Sequence, residues 1–324
     1  MKAILFPFSP TEPSVELIKD FPELDWALVG SPEEVARAAP GAAIYVTSNR
    51  TCKPATGEAL RRHGAGALRW MHFTSAGIDN GLAMGIPEGV IVTNATGIKA
   101  GMVSEHALLL LLALARRLHL IGAAQRRHEW LRAQFSREMT TLEDAVVCVV
   151  GRGAIGRELA RKLKAIGARP VAVSRTTEAD ETVAQVFPRE RLRDALAIAD
   201  AVAICTGGGD ETRQLIGAAE IAAMKRGAVI VNVARGSIID EAALIAALRE
   251  GRLAGAGLDV LSTEPMPADH VLWDMPNVIV TPHVAGQGST GYPEQRRLFA
   301  ENLRRFKAGL PMLNQCKVPA GTAA

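Results

Sequence analysis

The run AVVCVVGRGAIG, residues 145–156, leaves few folds open to this chain. It begins with an unbroken apolar stretch, Ala145 to Val150, rich in β-branched residues. A short apolar run bounded by glycine reads as a strand buried on both faces, as in a parallel sheet. Gly151, Gly153 and Gly156 follow at G-x-G-x-x-G spacing, and a helical pattern opens at Arg157. Leu159, Leu163 and Ile166 fall on one face, with Gly167 placed to close the helix. Each glycine has its own reason. Gly151 permits the strand-to-helix turn, Gly153 lets backbone approach a pyrophosphate, and Gly156 lets helix lie close on strand. The helix start then offers unpaired N–H groups and partial positive charge to phosphate. A dinucleotide site is therefore expected on Gly151, Gly153, Ala154, Ile155 and Gly156, since strand and helix flank the motif correctly.

The end of the next strand should select the cofactor. That strand is PVAVS, Pro170 to Ser174, followed by Arg175 and Thr176. A carboxylate here would hold a ribose 2′-OH, whereas arginine accommodates a 2′-phosphate. Ser174, Arg175 and Thr176 offer a guanidinium fork and two hydroxyls, so NADP(H) is favoured over NAD(H).

A chain of 324 residues suits two domains, each with its own core. A net charge of +3 and no dense basic run argue against nucleic-acid binding. The longest apolar run, Ala107 to Ala115, is too short to span a membrane. Four scattered cysteines show no metal-ligand spacing, so no metal is expected and a reducing cytoplasm is the expected location.

Along the chain, strands and helices alternate, which indicates parallel sheets. Strands are expected near 3–6, 26–29, 43–46, 68–73 and 90–93, with a helix capped by Ser31 over 32–39. Ser104 to Leu118 reads as one long helix, apolar nearly all round and hence buried between domains or subunits. Gln125 to Glu143 reads as a polar connector. Further strands are expected at 201–205, 228–233, 256–260 and 278–281, then a closing amphipathic helix over 291–306. The tail 309–318 is expected to return to the first domain. The expected domains are 1–98 plus 287–324, and 99–286.

In a doubly wound sheet, ligands bind beyond the carboxyl ends of the strands. Three such ends carry reactive groups: Arg235 after Ala234, Glu264 downstream of Asp259, and His283 after Pro282. Taken one by one, an arginine after a strand, a Glu-Pro turn and a loop histidine are ordinary; at consecutive strand ends they suggest one site.

These segments, in this order, resemble the D-isomer-specific 2-hydroxyacid dehydrogenase family. The resemblance rests on SAGID at 75–79, EHA at 105–107, GRGAIG, MKRGAVIVNVARGSIIDEAAL at 224–244, GLDVLSTEP at 257–265, TPHVAG at 281–286 and NLRRFKAGLPMLN at 302–314. It implies a Rossmann-type doubly wound parallel sheet plus a flavodoxin-like α/β substrate domain, with a cleft between them. It implies a catalytic triad. The histidine matching His283 exchanges the proton with the substrate oxygen, the glutamate matching Glu264 bonds the imidazole, and the arginine matching Arg235 holds the substrate carboxylate. The residues matching Ser75, Ala76 and Gly77 bind the other side of that carboxylate. Cys205, Thr206 and Ala234 match cofactor contacts, and the aspartate matching Asp259 holds the nicotinamide carboxamide. A glyoxylate- or hydroxypyruvate-type 2-oxo acid and a homodimer are the expected partners. A non-catalytic dinucleotide sensor and a phosphite- or formate-type dehydrogenase are the alternatives. His106 matches a family position read as structural, and His63, His72, His119, His128 and His270 match no catalytic motif. The chain departs from the family at Thr206-Gly207-Gly208-Gly209, where many members have Pro-Leu-Thr, so cofactor contacts there are open and the glycines add backbone freedom. It departs again at Gln287-Gly288.

Overall fold

A computed structural model describes residues 1–64, 66–288 and 292–318 of the chain. Its contacts divide into two units, Met1–Lys99 with Gly288–Ala324, and Ala100–Gln287. Both are α/β and built on parallel sheets, a Rossmann-like architecture.

The first unit holds β1 (Lys2–Phe6), β2 (Asp25–Leu28), β3 (Ala42–Thr47), β4 (Trp70–Phe73) and β5 (Ile91–Thr93). Their order is β2-β1-β3-β4-β5, with every pair parallel, which is the flavodoxin-type arrangement. β3 is central and buried at every residue, in keeping with its near-continuous apolar run from Ala42 to Val46. Ser31 caps the helix Pro32–Ala38 by accepting from the Glu34 N–H at 3.3 Å. The amphipathic helix Tyr292–Lys307 lays Phe299 and Leu303 on the sheet, Phe299 stacking on Trp70 at 5.2 Å between ring centres. The expected helix start at Gly291 lies outside the described residues. The tail then meets β5, where the Cys316 N–H donates to the Val92 carbonyl at 2.8 Å.

One buried group here sets a pH dependence. His72 on β4 is fully buried; Thr93 Oγ1 sits 2.8 Å from its Nδ1, and its Nε2 finds no partner. Burial pushes this imidazole down to about 3. The unfolded chain therefore binds the extra proton, and stability rises with pH across this window. It is fully present above about pH 6.5 and lost as pH falls, by about 2 kcal/mol on reaching pH 5. Chemical denaturation at pH 7 and pH 5 should show this slope in the wild type, and His72→Phe should flatten it.

The second unit holds β6 (Val146–Val150), β7 (Arg169–Val173), β8 (Gln185–Phe187), β9 (Ala201–Ile204), β10 (Val229–Asn232), β11 (Gly255–Leu258) and β12 (Val278–Val280). Their order is β12-β11-β10-β9-β6-β7-β8, all parallel. The order reverses between β6 and β9, the switch point at which such sheets bind dinucleotides.

The expected helix 104–118 differs in the structure. It runs Ala100–Ala115 and stops where Arg117 adopts a left-handed φ of 52°. A second helix, Leu118–Arg126, follows at a 65° bend. Nor is the first helix buried all round: Ala107, Leu110, Leu111 and Leu114 face the sheet, while Leu109 and Leu112 are exposed. Uniform leucine hides the amphipathic period, because only the neighbours distinguish one leucine from the next. The expected connector carries a further helix, Arg132–Glu138, anchored by buried Phe135. Among the described residues no single helix is long and apolar enough to cross a membrane; the bent pair Ala100–Ala115 and Leu118–Arg126 reaches that length and composition only together.

Candidate active site

The glycine-rich turn shows why its residues are small. Gly151 sits at φ +99°, and a Cβ there would come within 2.6 Å of the Thr206 backbone. A Cβ on Gly156 would overlap the Gly151 carbonyl. A Cβ on Gly153 would meet nothing within 4 Å, so it would project into open space in front of the helix Ala154–Ala165. That helix has no side-chain cap, leaving the first N–H groups, at Ala154, Ile155 and Gly156, for a ligand. A space that only a Cβ would fill, faced by unpaired donors, fits a dinucleotide pyrophosphate.

Ser174, Arg175 and Thr176 follow β7. The Ser174 hydroxyl accepts from the Thr176 N–H at 3.3 Å, closing a small turn that carries Arg175 outward with its side chain 88% exposed. Arg175 Nη1 lies 4.0 Å from Glu211, which also meets Arg189 Nη1 at 3.5 Å. Such exposed pairs are weak, so both guanidinium groups remain available to a phosphate. The next segment is tied down by Arg152, a buried side chain within the glycine motif that bonds the Glu178 carbonyl and Asp180 carboxylate. Nothing in the linear pattern marks Arg152 or Arg189, since one fills an unspecified position of the glycine motif and the other lies in a short turn.

Cys205 and Thr206 follow β9. Burial pushes the Cys205 thiol up to about 12, so this site offers backbone rather than a reactive sulfur. The three following glycines are not loose: the Thr212 hydroxyl lies 3.0 Å and 3.1 Å from the Gly207 and Gly209 carbonyls. A Cβ on Gly208 would come within 2.8 Å of Arg235 Cγ, so the glycine lets this loop pack on the arginine stem.

β10, β11 and β12 are neighbours, and their carboxyl ends bring Arg235, Glu264 and His283 to one edge of the unit. Buried Asn232 fixes the arginine turn from both sides, its Oδ1 accepting from the Ala234 N–H at 3.0 Å and its Nδ2 donating to the Arg235 carbonyl at 2.9 Å. Gly236 presses on the Leu261–Ser262 backbone, where any Cβ would overlap. The segment carrying Glu264 is held by Glu241, which accepts from the Ser262 N–H at 3.3 Å and lies 3.2 Å from His270 Nε2. Glu264 itself accepts from the Leu261 N–H at 3.1 Å and, with its other oxygen, pairs with His283 Nδ1 at 2.7 Å. A carboxylate can only accept, so Nδ1 carries a hydrogen.

Asp259 is 2% exposed. Its carboxylate accepts from the Thr281 hydroxyl at 2.6 Å, the Val284 N–H at 2.9 Å and the Ala285 N–H at 3.0 Å. It therefore builds the turn on which His283 stands.

In the first unit, Ser75, Ala76 and Gly77 form a loop after β4. Their carbonyls are bonded by the Ala95 N–H at 3.1 Å, Asn94 Nδ2 at 2.7 Å and the Ser75 hydroxyl at 2.9 Å. Asn49 steadies the loop, its N–H donating to Ser75 Oγ at 3.1 Å. Among the described residues no protein acceptor meets the N–H of Ala76 or Gly77. The arrangement presents donors without competing carbonyls, suited to an anion.

Comparison with known proteins gives a consistent family. The family model for the D-isomer specific 2-hydroxyacid dehydrogenase NAD-binding domain matches residues 108–285. A glycerate dehydrogenase of Methylorubrum extorquens is 31% identical over 233 residues, covering 69% of this chain and 71% of that protein. A glyoxylate reductase of Korarchaeum cryptofilum is 34% identical over 226 residues, covering 68% of this chain and 67% of its own length. Among solved structures, the NADPH-dependent glyoxylate/hydroxypyruvate reductase of Sinorhizobium meliloti, in complex with NADP and sulfate, superposes with a TM-score of 0.85 at 27% identity, covering 98% of both chains.

Proposed function

The chain belongs to the D-isomer specific 2-hydroxyacid dehydrogenase family, an NAD(P)-linked oxidoreductase by that membership, and we propose that it uses NADPH to reduce a small 2-oxo acid of the glyoxylate or hydroxypyruvate type to the D-2-hydroxy acid. The observation that carries the reading is the trio of Arg235, Glu264 and His283 at adjacent strand ends, with His283 Nδ1 2.7 Å from the Glu264 carboxylate. A bound nicotinamide supplies the hydride; the chain supplies placement and charge. Arg235 holds the substrate carboxylate with a permanently charged fork and draws electron density from the adjacent carbonyl. His283 delivers a proton from Nε2 to the oxygen that becomes the hydroxyl, while Glu264 keeps the imidazole in register and offsets its charge. Within the first unit, Ala76 and Gly77 offer backbone N–H groups suited to an anion, with Ser75 shaping their loop. Asp259 keeps the proton donor's turn in place and has acceptor capacity left for a carboxamide. The substrate domain in this reading is 1–99 with 288–324, and the dinucleotide domain 100–287.

The NADP preference rests on Arg175, flanked by the Ser174 and Thr176 hydroxyls and by Arg189, with no carboxylate in the Ser174–Thr176 turn. Arg175→Asp should move the ratio of kcat/KM for NADPH over NADH by about 10- to 100-fold towards NADH, the worth of one or two charge-assisted contacts. An unchanged ratio would refute the 2′-phosphate contact. A homodimer fits the exposed Leu109, Leu112, Leu118 and Trp130, the last 92% exposed, and four free cysteines suit a cytoplasmic setting.

The direct test is a panel of 2-oxo acids with the purified protein and each cofactor. NADPH oxidation with glyoxylate or hydroxypyruvate, and a product of D configuration from a prochiral acid, are the expected results. No oxidation with any 2-oxo acid would overturn the reading.

A further inference from the structure

We propose that His106, a residue whose motif suggests only structure, is a positioning residue for His283, acting through Thr281 and Asp259. The proposal rests on the reading of His283 as the proton donor. His106 lies in the helix Ala100–Ala115, remote in sequence from the strand ends, with its side chain 16% exposed. Its Nε2 is 2.9 Å from Thr281 Oγ1 and 3.5 Å from Asp259 Oδ1.

The direction of the bonds is determined. The Thr281 hydroxyl has one hydrogen, and Asp259 Oδ1, an acceptor only, takes it at 2.6 Å. Towards His106 the same oxygen can then only accept, so the imidazole must donate from Nε2. The chain of bonds runs from His106 to Thr281, from Thr281 to Asp259, and from Asp259 into the turn. There the carboxylate accepts from Val284 and Ala285 N–H, and the Asp259 carbonyl accepts from the His283 N–H at 2.9 Å.

That turn needs such support. His283 stands at φ +55°, a left-handed conformation that a residue with a Cβ adopts only when its surroundings over-determine it. Glu264 holds the ring of His283, but it is Asp259 that holds its backbone. With the His106 donor gone, the Thr281 hydroxyl is free to turn away and Asp259 Oδ1 loses its shortest bond. The imidazole then wanders from the alignment that proton delivery requires, although the carboxylate fork on Arg235 and the glycine-rich turn are untouched.

The test compares His106→Leu, His106→Gln, Thr281→Val, Thr281→Ser and the double variant H106L/T281V by steady-state kinetics. His106→Leu and Thr281→Val should each lower kcat about tenfold, with KM for the 2-oxo acid and for NADPH within about twofold of wild type. His106→Gln, which places an amide N–H where Nε2–H stood, should recover kcat to within about threefold, and Thr281→Ser should do the same. The double variant should be no slower than either single one, because both cut one series of bonds. Losses that multiply, or a glutamine variant as slow as leucine, or a loss confined to KM, would overturn the proposal. If an active wild type shows no effect of His106→Leu, the positioning role fails while the functional reading stands; an inactive wild type sinks that reading instead. Nitrogen-15 spectra of the imidazole at alkaline pH read the tautomer without turnover. They should show Nε2–H, and an Nδ1–H form would overturn the relay directly.

Discussion

Replacing Arg235 with alanine should lower kcat/KM for a 2-oxo acid by about 1,000-fold or more, because the substrate carboxylate and the developing charge on its carbonyl both lose their guanidinium partner. Loss of one preorganised donor to developing charge alone costs about 3–4 kcal/mol, and a factor of ten in rate corresponds to about 1.4 kcal/mol. Arg235→Lys should recover little, since a point charge does not reproduce the planar fork. The cofactor end of the unit is unaffected. The glycine-rich turn and the Ser174–Thr176 turn follow other strands, β6 and β7, so NADPH binding measured by fluorescence titration should remain within about twofold of wild type. A variant that binds NADPH and still turns over the keto acid at the wild-type rate would remove Arg235 from the site.

The second large effect is at His283. Its Nδ1 pairs with Glu264 at 2.7 Å, and the proposed reaction takes its proton from Nε2. His283→Asn should reduce kcat by about 100- to 10,000-fold, the range for loss of a positioned general acid, with much smaller changes in KM. Glu264→Gln keeps an acceptor for Nδ1–H but removes the charge that stabilises the imidazolium. Its loss of kcat should therefore be smaller, about 10- to 100-fold. The order of these losses is itself informative. A glutamine variant slower than the asparagine variant would mean that Glu264, not His283, handles the proton.

Much of this site could be read from the linear chain because its parts are local patterns. The strand, three spaced glycines and amphipathic helix at 145–166 form one such pattern, and the requirement for glycine at 151 and 156 is steric. Arg235, Glu264 and His283 were visible because each follows a strand, and parallel strands deliver their carboxyl ends to one side. The residues that hold these groups were not visible. Glu241, His270, Thr281 and His106 act through partners distant in sequence, Asn232 acts only two and three residues on, and no periodicity in their own neighbourhoods marks any of them. The second helix after Ala115 was missed for a related reason. Leucine at successive positions fits a continued helix equally well, and only the left-handed turn at Arg117 breaks it.

The sequence alone determined most of the element types, the parallel character of both sheets, the dinucleotide turn and the three reactive groups, because hydrophobic period, glycine sterics and side-chain chemistry are properties of short segments. Tertiary structure alone decided the order of the strands, which face of the leucine-rich helix is exposed, and how the Gly207–Gly209 loop packs on Arg235. It also decided that a helix histidine, a threonine and a buried aspartate would meet beneath His283. Hydrogen-bond direction depends on atoms a few ångströms apart in space, and no distance along the chain encodes it.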